Sequence, residues 1–323
     1  MPKRSREELK SETKTAKLVN VAYGEVNKAG ESITAQDITR PTIGLPESET
    51  LRVAAWNLGG MRSFIEKKGH LIKKLWESEK LDILGFSEIK ITDEPKAKEV
   101  EEQVKKILKG HHVHFVWNMC SVKKGYSGTL ALVRSEVFRK CKSTLIGING
   151  KSDPEGRLIT LDFGTTAVVI TYVPNSGMTL DRLNYRTNTW DKEFSEYCVS
   201  LSKNKQVIIA GDMNVAHRDM DIWNVDAPHI PKLAGTTPQE RQSFEKKFLE
   251  NGFIDTFAHL HANKTGWFSY WSIKAKNKPK NRGLRLDYVL VDKKVKVIDA
   301  YMGTDYAPDG DHCPVGVVCA ISL

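Results

Sequence analysis

Residues 51–88, LRVAAWNLGGMRSFIEKKGHLIKKLWESEKLDILGFSE, change character twice. LRVAAWN is a short apolar run that stops at Asn57. In the segment that follows, Phe64, Leu71, Ile72 and Leu75 recur at roughly helical spacing with lysines between them, which predicts an amphipathic helix. LDILGFSE is a near-continuous apolar run, as a strand buried on both faces would be, and it stops at Glu88. Strand, helix and strand therefore follow one another, and each strand ends on a polar side chain.

The same grammar runs through the rest of the chain. Strand-like runs are HVHFVW, GTLALVRS, RLITLDF, AVVITYVPN, QVIIAGDMN, WFSYW, LRLDYVLVD and HCPVGVVCAIS. Helical segments are KAKEVEEQVKKIL, about residues 180–203, and TPQERQSFEKKFLEN with its proline near the start. Many strands with a few helices between them predict an α/β sandwich filling residues 50–323 as one domain. Residues 1–49 are polar and irregular, and are expected to form a flexible basic tail in which Lys3, Arg4 and Arg6 serve nuclear import or DNA contact, or are simply solvated.

Composition narrows the function classes. The 323 residues are 40% hydrophobic, enough for a large core. No run of apolar residues is long enough to span a bilayer, and the N-terminus has no apolar leader. The expectation is an intracellular protein, nuclear first and mitochondrial as the alternative. Five cysteines without a close pair read as reduced thiols rather than a zinc site. The net charge of +9 favours a polyanionic partner. Glycine-rich dinucleotide and P-loop signatures are absent.

Polar residues at strand ends carry the chemistry. Asn57, Glu88, Tyr172, Asn175, Asp212, Asn214 and Asp287 each close or interrupt an apolar run, and Asp311 and His312 precede the last one. Each has a plainer reading taken singly. Asn57 suits the turn before Gly59-Gly60, Glu88 suits a surface pair with Lys90, Asp212 suits an Asx turn, and Asp287 suits a pair with Arg285. Taken jointly, hard oxygen donors and a histidine suit metal-assisted hydrolysis of a phosphodiester. Glu88, Asp311 and Asn57 form the expected Mg²⁺ ligand set, with Mn²⁺ as a substitute. His312 is the candidate base, with Asp287 fixing its tautomer. Asn214 and Tyr172 are expected on the phosphoryl oxygens, and Asp212 on the attacking water. A zinc site or a thiol dyad at His312-Cys313 is disfavoured, because neighbours on a strand point to opposite faces.

The segments WNLGGMR, FSEIK, GYSGTLAL, YVPNSG, RLNYR, GDMNVAH, AGTTPQERQSF, RLDYVLV and DHCPVGV, in this order, resemble the exonuclease III-like apurinic/apyrimidinic endonucleases of the endonuclease/exonuclease/phosphatase superfamily. The resemblance runs from about Leu51 to the last strand. It implies a four-layer αββα sandwich of the DNase I-like kind. It implies Mg²⁺-dependent incision of DNA 5′ to an abasic site, leaving a 3′-hydroxyl, with 3′-phosphodiesterase and 3′→5′ exonuclease side activities. The implied partner is double-stranded DNA with abasic sites or blocked 3′ ends, bound by a monomer. Glu88 is then the principal metal ligand with Asp311 and Asn57 around it. Tyr172, Asn175, Asp212 and Asn214 line the phosphate, and Asp287 with His312 completes the centre. Tyr126 and Arg182 are implied on the substrate, and Tyr270, Trp271, Leu284 and Leu286 around the abasic sugar. Further DNA-contact candidates are Arg62, Lys67, Lys90, Lys123, Lys124, Lys274, Lys276 and Lys280.

The sequence departs from the family at several points. Gly59 stands where many members carry an acid, Ser87 replaces a glutamine, Met178 replaces an arginine of some animal members, Thr236 replaces a bulky residue, and Leu284 replaces a common tryptophan. Two other readings follow from these changes: a 3′-end-processing exonuclease with weak abasic incision, and a DNA-binding paralogue without catalysis.

Overall fold

The computed structural model describes residues 32–323. In chain order its strands are β1 Leu51–Asn57, β2 Ile83–Ser87, β3 Val113–Asn118, β4 Thr129–Arg134, β5 Ser143–Ile146, β6 Leu158–Asp162, β7 Thr166–Tyr172, β8 Gln206–Asp212, β9 Phe253–Asp255, β10 Asp287–Asp292, β11 Val297–Met302 and β12 Val315–Cys319. The longer helices are α1 Met61–Ser78, α2 Glu94–Ile107, α3 Asp191–Ser202 and α4 Pro238–Phe244.

The strands form two six-stranded sheets, ordered β11-β12-β1-β2-β4-β3 and β5-β6-β7-β8-β10-β9. Both have the same plan. A central parallel pair, β1/β2 in one and β7/β8 in the other, is flanked by antiparallel neighbours. A parallel pair needs a crossover, and α1 and α3 supply the two. The sheets pack face to face, β1 against β8 and β2 against β7. Val53, Leu84, Ile170, Ile208 and Val289 are among the buried residues of that interior, which continues under α1 and α2 through Leu71, Ile72, Leu75 and Val104. A second apolar cluster joins the outer face of the second sheet to Phe194 of α3 and Phe244 of α4. Helices, sheet, sheet and helices make the expected four-layer αββα sandwich.

Gly85 shows how close the sheets come. A Cβ at this position of β2 would lie 2.5 Å from Ile170 Cγ2 and 2.7 Å from Ile170 Cδ1 of β7. Gly85→Ala should therefore destabilise the fold by about 1–3 kcal/mol through overpacking. Urea denaturation measures this, and adding Ile170→Val should restore part of the loss. An unchanged midpoint in the single variant would show that the sheets can separate without cost.

Several elements differ from the sequence reading. WFSYW forms no strand, since Tyr270 makes only isolated bridges to Leu284 and His312. Ser269 Oγ accepts the N–H groups of Leu286 and Asp287, so a side chain replaces a ladder there. β10 consequently starts at Asp287, not Leu284. The helix expected over 180–203 opens with a π-helical stretch, Tyr185–Trp190, and α4 continues into another, Glu245–Leu249. The edge strands β5 and β9 were not anticipated; at four and three residues they are too short for periodicity. β11 carries a bulge between Val297 and Asp299, which breaks its alternation.

Residues 1–31 of the expected tail, Lys3, Arg4 and Arg6 included, lie outside the described residues. Residues 32–49 run along the domain instead of standing free. Ile33 is buried, and Arg40 pairs with Glu79 at 2.7 Å and Asp299 at 2.6 Å over the Tyr301 ring. A polar stretch can dock in this way when it meets buried carboxylates that need a cation. Among the described residues no helix is long and apolar enough to cross a membrane.

Candidate active site

The architecture sends the polar strand ends to one edge. Asn57 and Ser87 are register partners at the ends of the parallel pair β1/β2. Tyr172 and Asp212 are partners at the ends of β7/β8, and Asp287, first residue of antiparallel β10, also faces Asp212. His312 precedes β12, which runs antiparallel to β1 and so begins at the same edge. Carboxyl ends of parallel strands are where open α/β sheets place their ligands. Here two sheets contribute such ends to one cleft of ≈ 710 Å³.

Asn57 ties the two halves together. Its Nδ2 donates to Glu88 Oε1 at 3.0 Å and to Asp212 Oδ2 at 2.9 Å, while its Oδ1 accepts the Gly59 N–H at 3.0 Å. The turn role and the site role are thus one arrangement. The amide hydrogens face the carboxylates, so Asn57 enters the cluster as a donor, while the oxygen expected from sequence to meet the ion accepts the Gly59 N–H. Tyr172 donates its phenol to Glu88 Oε1 at 3.0 Å, and Lys90 Nζ lies 3.0 Å from Glu88 Oε2. Burial pushes the Glu88 carboxyl up, but the Asn57 bond and the Lys90 ammonium outweigh it and hold it below its ordinary value. Burial, then the neighbouring charges of Glu88 and Asp212, push the Tyr172 phenol well up, which keeps it a neutral donor.

The second cluster is drier. Ligand atoms of Asp212, Asp287 and His312 all lie within 4.8 Å of one another, and the three residues are buried. His312 Nδ1 meets Asp287 Oδ2 at 2.8 Å, as expected. Arg285 is not the partner of Asp287. It is bound to Asp221 and Asp255, at 2.8 and 2.6 Å, because the chain is not yet in the β10 ladder at that point. Burial works against a charged imidazole, but the charge and hydrogen bond of Asp287 outweigh it and raise His312 to about 10. Burial and the charge of Asp287 push Asp212 up to about 7, against the pull of His312 and the Asn57 bond. Asp212 Oδ1 also accepts the Asn214 N–H at 2.8 Å, the Asx turn of the plainer reading.

The carboxylates fit a hard divalent cation. Glu88 and Asp311 are only part-buried and both face the cleft. A Cβ on Gly59 would be 3.8 and 3.9 Å from the two Asp311 oxygens, which sets Asp311 beside the turn that holds Asn57. Mg²⁺-like ions favour such sites, with one or two carboxylates and room for water. Both Asp212 oxygens and His312 Nδ1 are committed to hydrogen bonds, whereas Asp287 Oδ1 is buried without a partner among the described residues.

The remaining expected residues divide. Asn175, Tyr270, Leu284 and Leu286 line the cleft, with Met178 at its rim 96% exposed. Asn175 Nδ2 donates to Asn214 Oδ1 at 2.9 Å. Trp271 does not line it. It is buried in the core, with its indole N–H on Asn281 Oδ1 at 2.9 Å, because successive residues of an extended segment point to opposite sides. Tyr126 and Arg182 stand outside the cleft lining, joined by a 2.8 Å hydrogen bond, with Arg182 also paired to Glu155 at 3.0 Å. Among the basic candidates, Arg62 is paired to Glu99 at 3.6 Å. Trp223, Ile230 and Leu233 supply an apolar wall that sequence reading missed. They lie in a long loop without periodicity, DIWNVDAPHIPKLAG, where a lone tryptophan was the available signal.

Three comparisons bear on this geometry. The Bacillus subtilis exodeoxyribonuclease is 36% identical over 273 residues, which cover 84% of this chain and 100% of that protein. A DNA-(apurinic or apyrimidinic site) endonuclease of Dictyostelium discoideum is 34% identical over 295 residues, covering 90% of this chain and 75% of that one. Among solved structures, an AP endonuclease from Leishmania major superposes with a TM-score of 0.77 at 27% identity, covering 93% of this chain and 98% of that one. A model of the endonuclease/exonuclease/phosphatase family, a family dependent on divalent metals, matches residues 54–312, the span from inside β1 to the histidine of the cleft. The chain belongs to the endonuclease/exonuclease/phosphatase family.

Proposed function

We propose that this protein is a DNA-repair hydrolase that incises the backbone 5′ to an abasic site with Mg²⁺ and leaves a 3′-hydroxyl. One observation carries the reading. The phosphate-chemistry cluster opens directly onto an apolar recess formed by Trp223, Tyr270, Leu284 and Leu286, suited to a sugar that has lost its base. Relatives named for apurinic-site cleavage support it.

Glu88 and Asp311 would hold the ion, and Asn57 and Tyr172 orient Glu88 toward it. When bound, the ion neutralises phosphate charge and stabilises the leaving oxygen. The Asn214 and Asn175 amides lie where they can meet phosphoryl oxygens. His312, raised to about 10, is protonated at neutral pH and serves as a charged donor to the phosphate, with Asp287 supporting it. Asp212, raised to about 7, is the better acceptor for a proton from the attacking water. This reading moves the base role from His312 to Asp212, the residue expected from sequence on the attacking water.

The test is a labelled duplex carrying one tetrahydrofuran abasic analogue, with Mg²⁺ or with EDTA. A single nick 5′ to the lesion, only with Mg²⁺, is expected. Folded protein that makes no nick over a wide enzyme range overturns the reading. The second reading, a 3′-end-processing exonuclease, is favoured by the relative named exodeoxyribonuclease, which the chain covers end to end. Faster removal of 3′-phosphoglycolate or of matched 3′ nucleotides than abasic incision would select it. Nuclear residence with mitochondrial as the alternative, action as a monomer, and Mn²⁺ as a substitute ion belong to the same proposal.

A further inference from the structure

The motifs RLNYR and TPQERQSF contribute no side chain to the lining of the cleft, yet they converge directly behind it. Arg186 is buried in the first turn of the π-helical stretch Tyr185–Trp190. Its Nε donates to Asp191 Oδ1 at 2.8 Å, five residues on, a spacing that a π turn brings onto one face. The rest of the guanidinium donates to three backbone carbonyls: Pro174 at 3.0 Å, Asn214 at 3.2 Å and Met213 at 2.6 Å. Those carbonyls belong to the two turns that present Asn175 and Asn214. From the other side, Ser243 Oγ donates to Asp191 Oδ2 at 2.7 Å. One turn earlier, Glu240 takes the Ser176 hydroxyl at 2.5 Å on Oε1 and the Gly235 N–H at 2.8 Å on Oε2.

Asn214 needs such support. Its φ is +48°, a left-handed conformation that asparagine adopts more readily than other non-glycine residues but that its surroundings must still hold at this one turn. Its side chain gives one amide hydrogen to Val173 O at 2.8 Å and accepts from Asn175 at 2.9 Å, which leaves the second amide hydrogen for the cleft and the backbone to be fixed from behind. A planar guanidinium can bridge three carbonyls and a carboxylate at once, which a lysine ammonium cannot.

We infer that Arg186 and Glu240 are positioning residues, a buried brace that sets the two turns carrying Asn175 and Asn214 and thereby aims their amides at the scissile phosphate. The inference rests on the proposed function for the phosphate, but the brace itself does not. Displacement of a reacting group by an ångström costs up to about 10²-fold in rate.

The experiment compares wild type, Arg186→Lys, Asn214→Ala and the double variant, each with Mg²⁺ on the abasic-analogue duplex. DNA affinity is measured in EDTA and amide hydrogen exchange on each free protein. Arg186→Lys should lose about 10–100-fold in single-turnover rate with DNA affinity nearly unchanged. The double variant should be slowed by less than the product of the two single losses, since the brace acts in part through that residue. Exchange should rise in residues 173–177 and 213–216 and stay at wild-type levels in β7 and β8. Wild-type rates in Arg186→Lys, a double variant slowed by the product of the single losses, or unchanged exchange in those turns overturns the inference. If Arg186→Lys does not fold, Glu240→Gln carries the same comparison against Asn175→Ala. If wild type makes no nick, the function has failed, and hydrogen exchange alone decides the brace.

Discussion

Asp212→Asn should lower single-turnover incision by about 10³-fold, within the range that a positioned acid or base contributes. The substitution is nearly isosteric, and one oxygen can still accept the Asn214 N–H. The other position would present an amide N–H₂ to the Asn57 amide, donor against donor, where a carboxylate oxygen now accepts at 2.9 Å. The variant also loses the group best placed to take a proton near neutrality. Sign matters for the pH profile. A carboxyl must be ionised to accept a proton, so the wild-type rate should climb with pH and level off above the Asp212 value of about 7. A bound cation nearby favours the ionised form and moves that midpoint down. Asp212→Asn should flatten the climb. A variant within tenfold of wild type that keeps the same climb returns the base role to His312.

Much of this arrangement is legible in the sequence, and the residues that are not share physical reasons. Asn57, Glu88, Asp212 and Asp287 stand out because each closes or opens an apolar run, where an unpaired polar group is costly. What sequence left open for Asn57 and Asp212, turn or site, turns out not to be a choice. Both residues use one atom for the turn and another for the cluster. The resemblance puts Trp271 with Tyr270 around the sugar, although alternation along an extended segment already separates the two. The plainer reading of Asp287, a pair with Arg285, fails because the ladder begins at Asp287 and Arg285 turns to Asp221 and Asp255. Trp223 was invisible because no periodicity exists in its loop. The edge strands β5 and β9 fell below the length at which period two can be read.

Glu88→Gln is expected to reduce the rate at fixed Mg²⁺ by about 10²–10³-fold, the size of effect that follows loss of one preorganised electrostatic partner. Gln keeps the shape. Its oxygen can still accept from Asn57 and Tyr172, as Glu88 Oε1 does at 3.0 Å from each. Its N–H₂ would then face the Lys90 ammonium, which now sits 3.0 Å from Oε2. The variant thus removes the negative charge and turns a donor against a cation, with no change of volume. If Glu88 holds the ion, the metal concentration for half-maximal rate should rise by more than the ~10–100-fold that outer partners of a metal ligand usually cost. Direct Mn²⁺ binding, measured by calorimetry on the free protein, should weaken in parallel. Asp212→Asn should leave that binding largely intact, since Asp212 is already committed to Asn57 and Asn214. The opposite pattern, binding kept in Glu88→Gln and lost in Asp212→Asn, would place the ion among Asp212, Asp287 and His312, whose ligand atoms lie within 4.8 Å of one another. The unpartnered Asp287 Oδ1 would then be its ligand, and Glu88 would be left as the acceptor that holds Tyr172 and Lys90 in place.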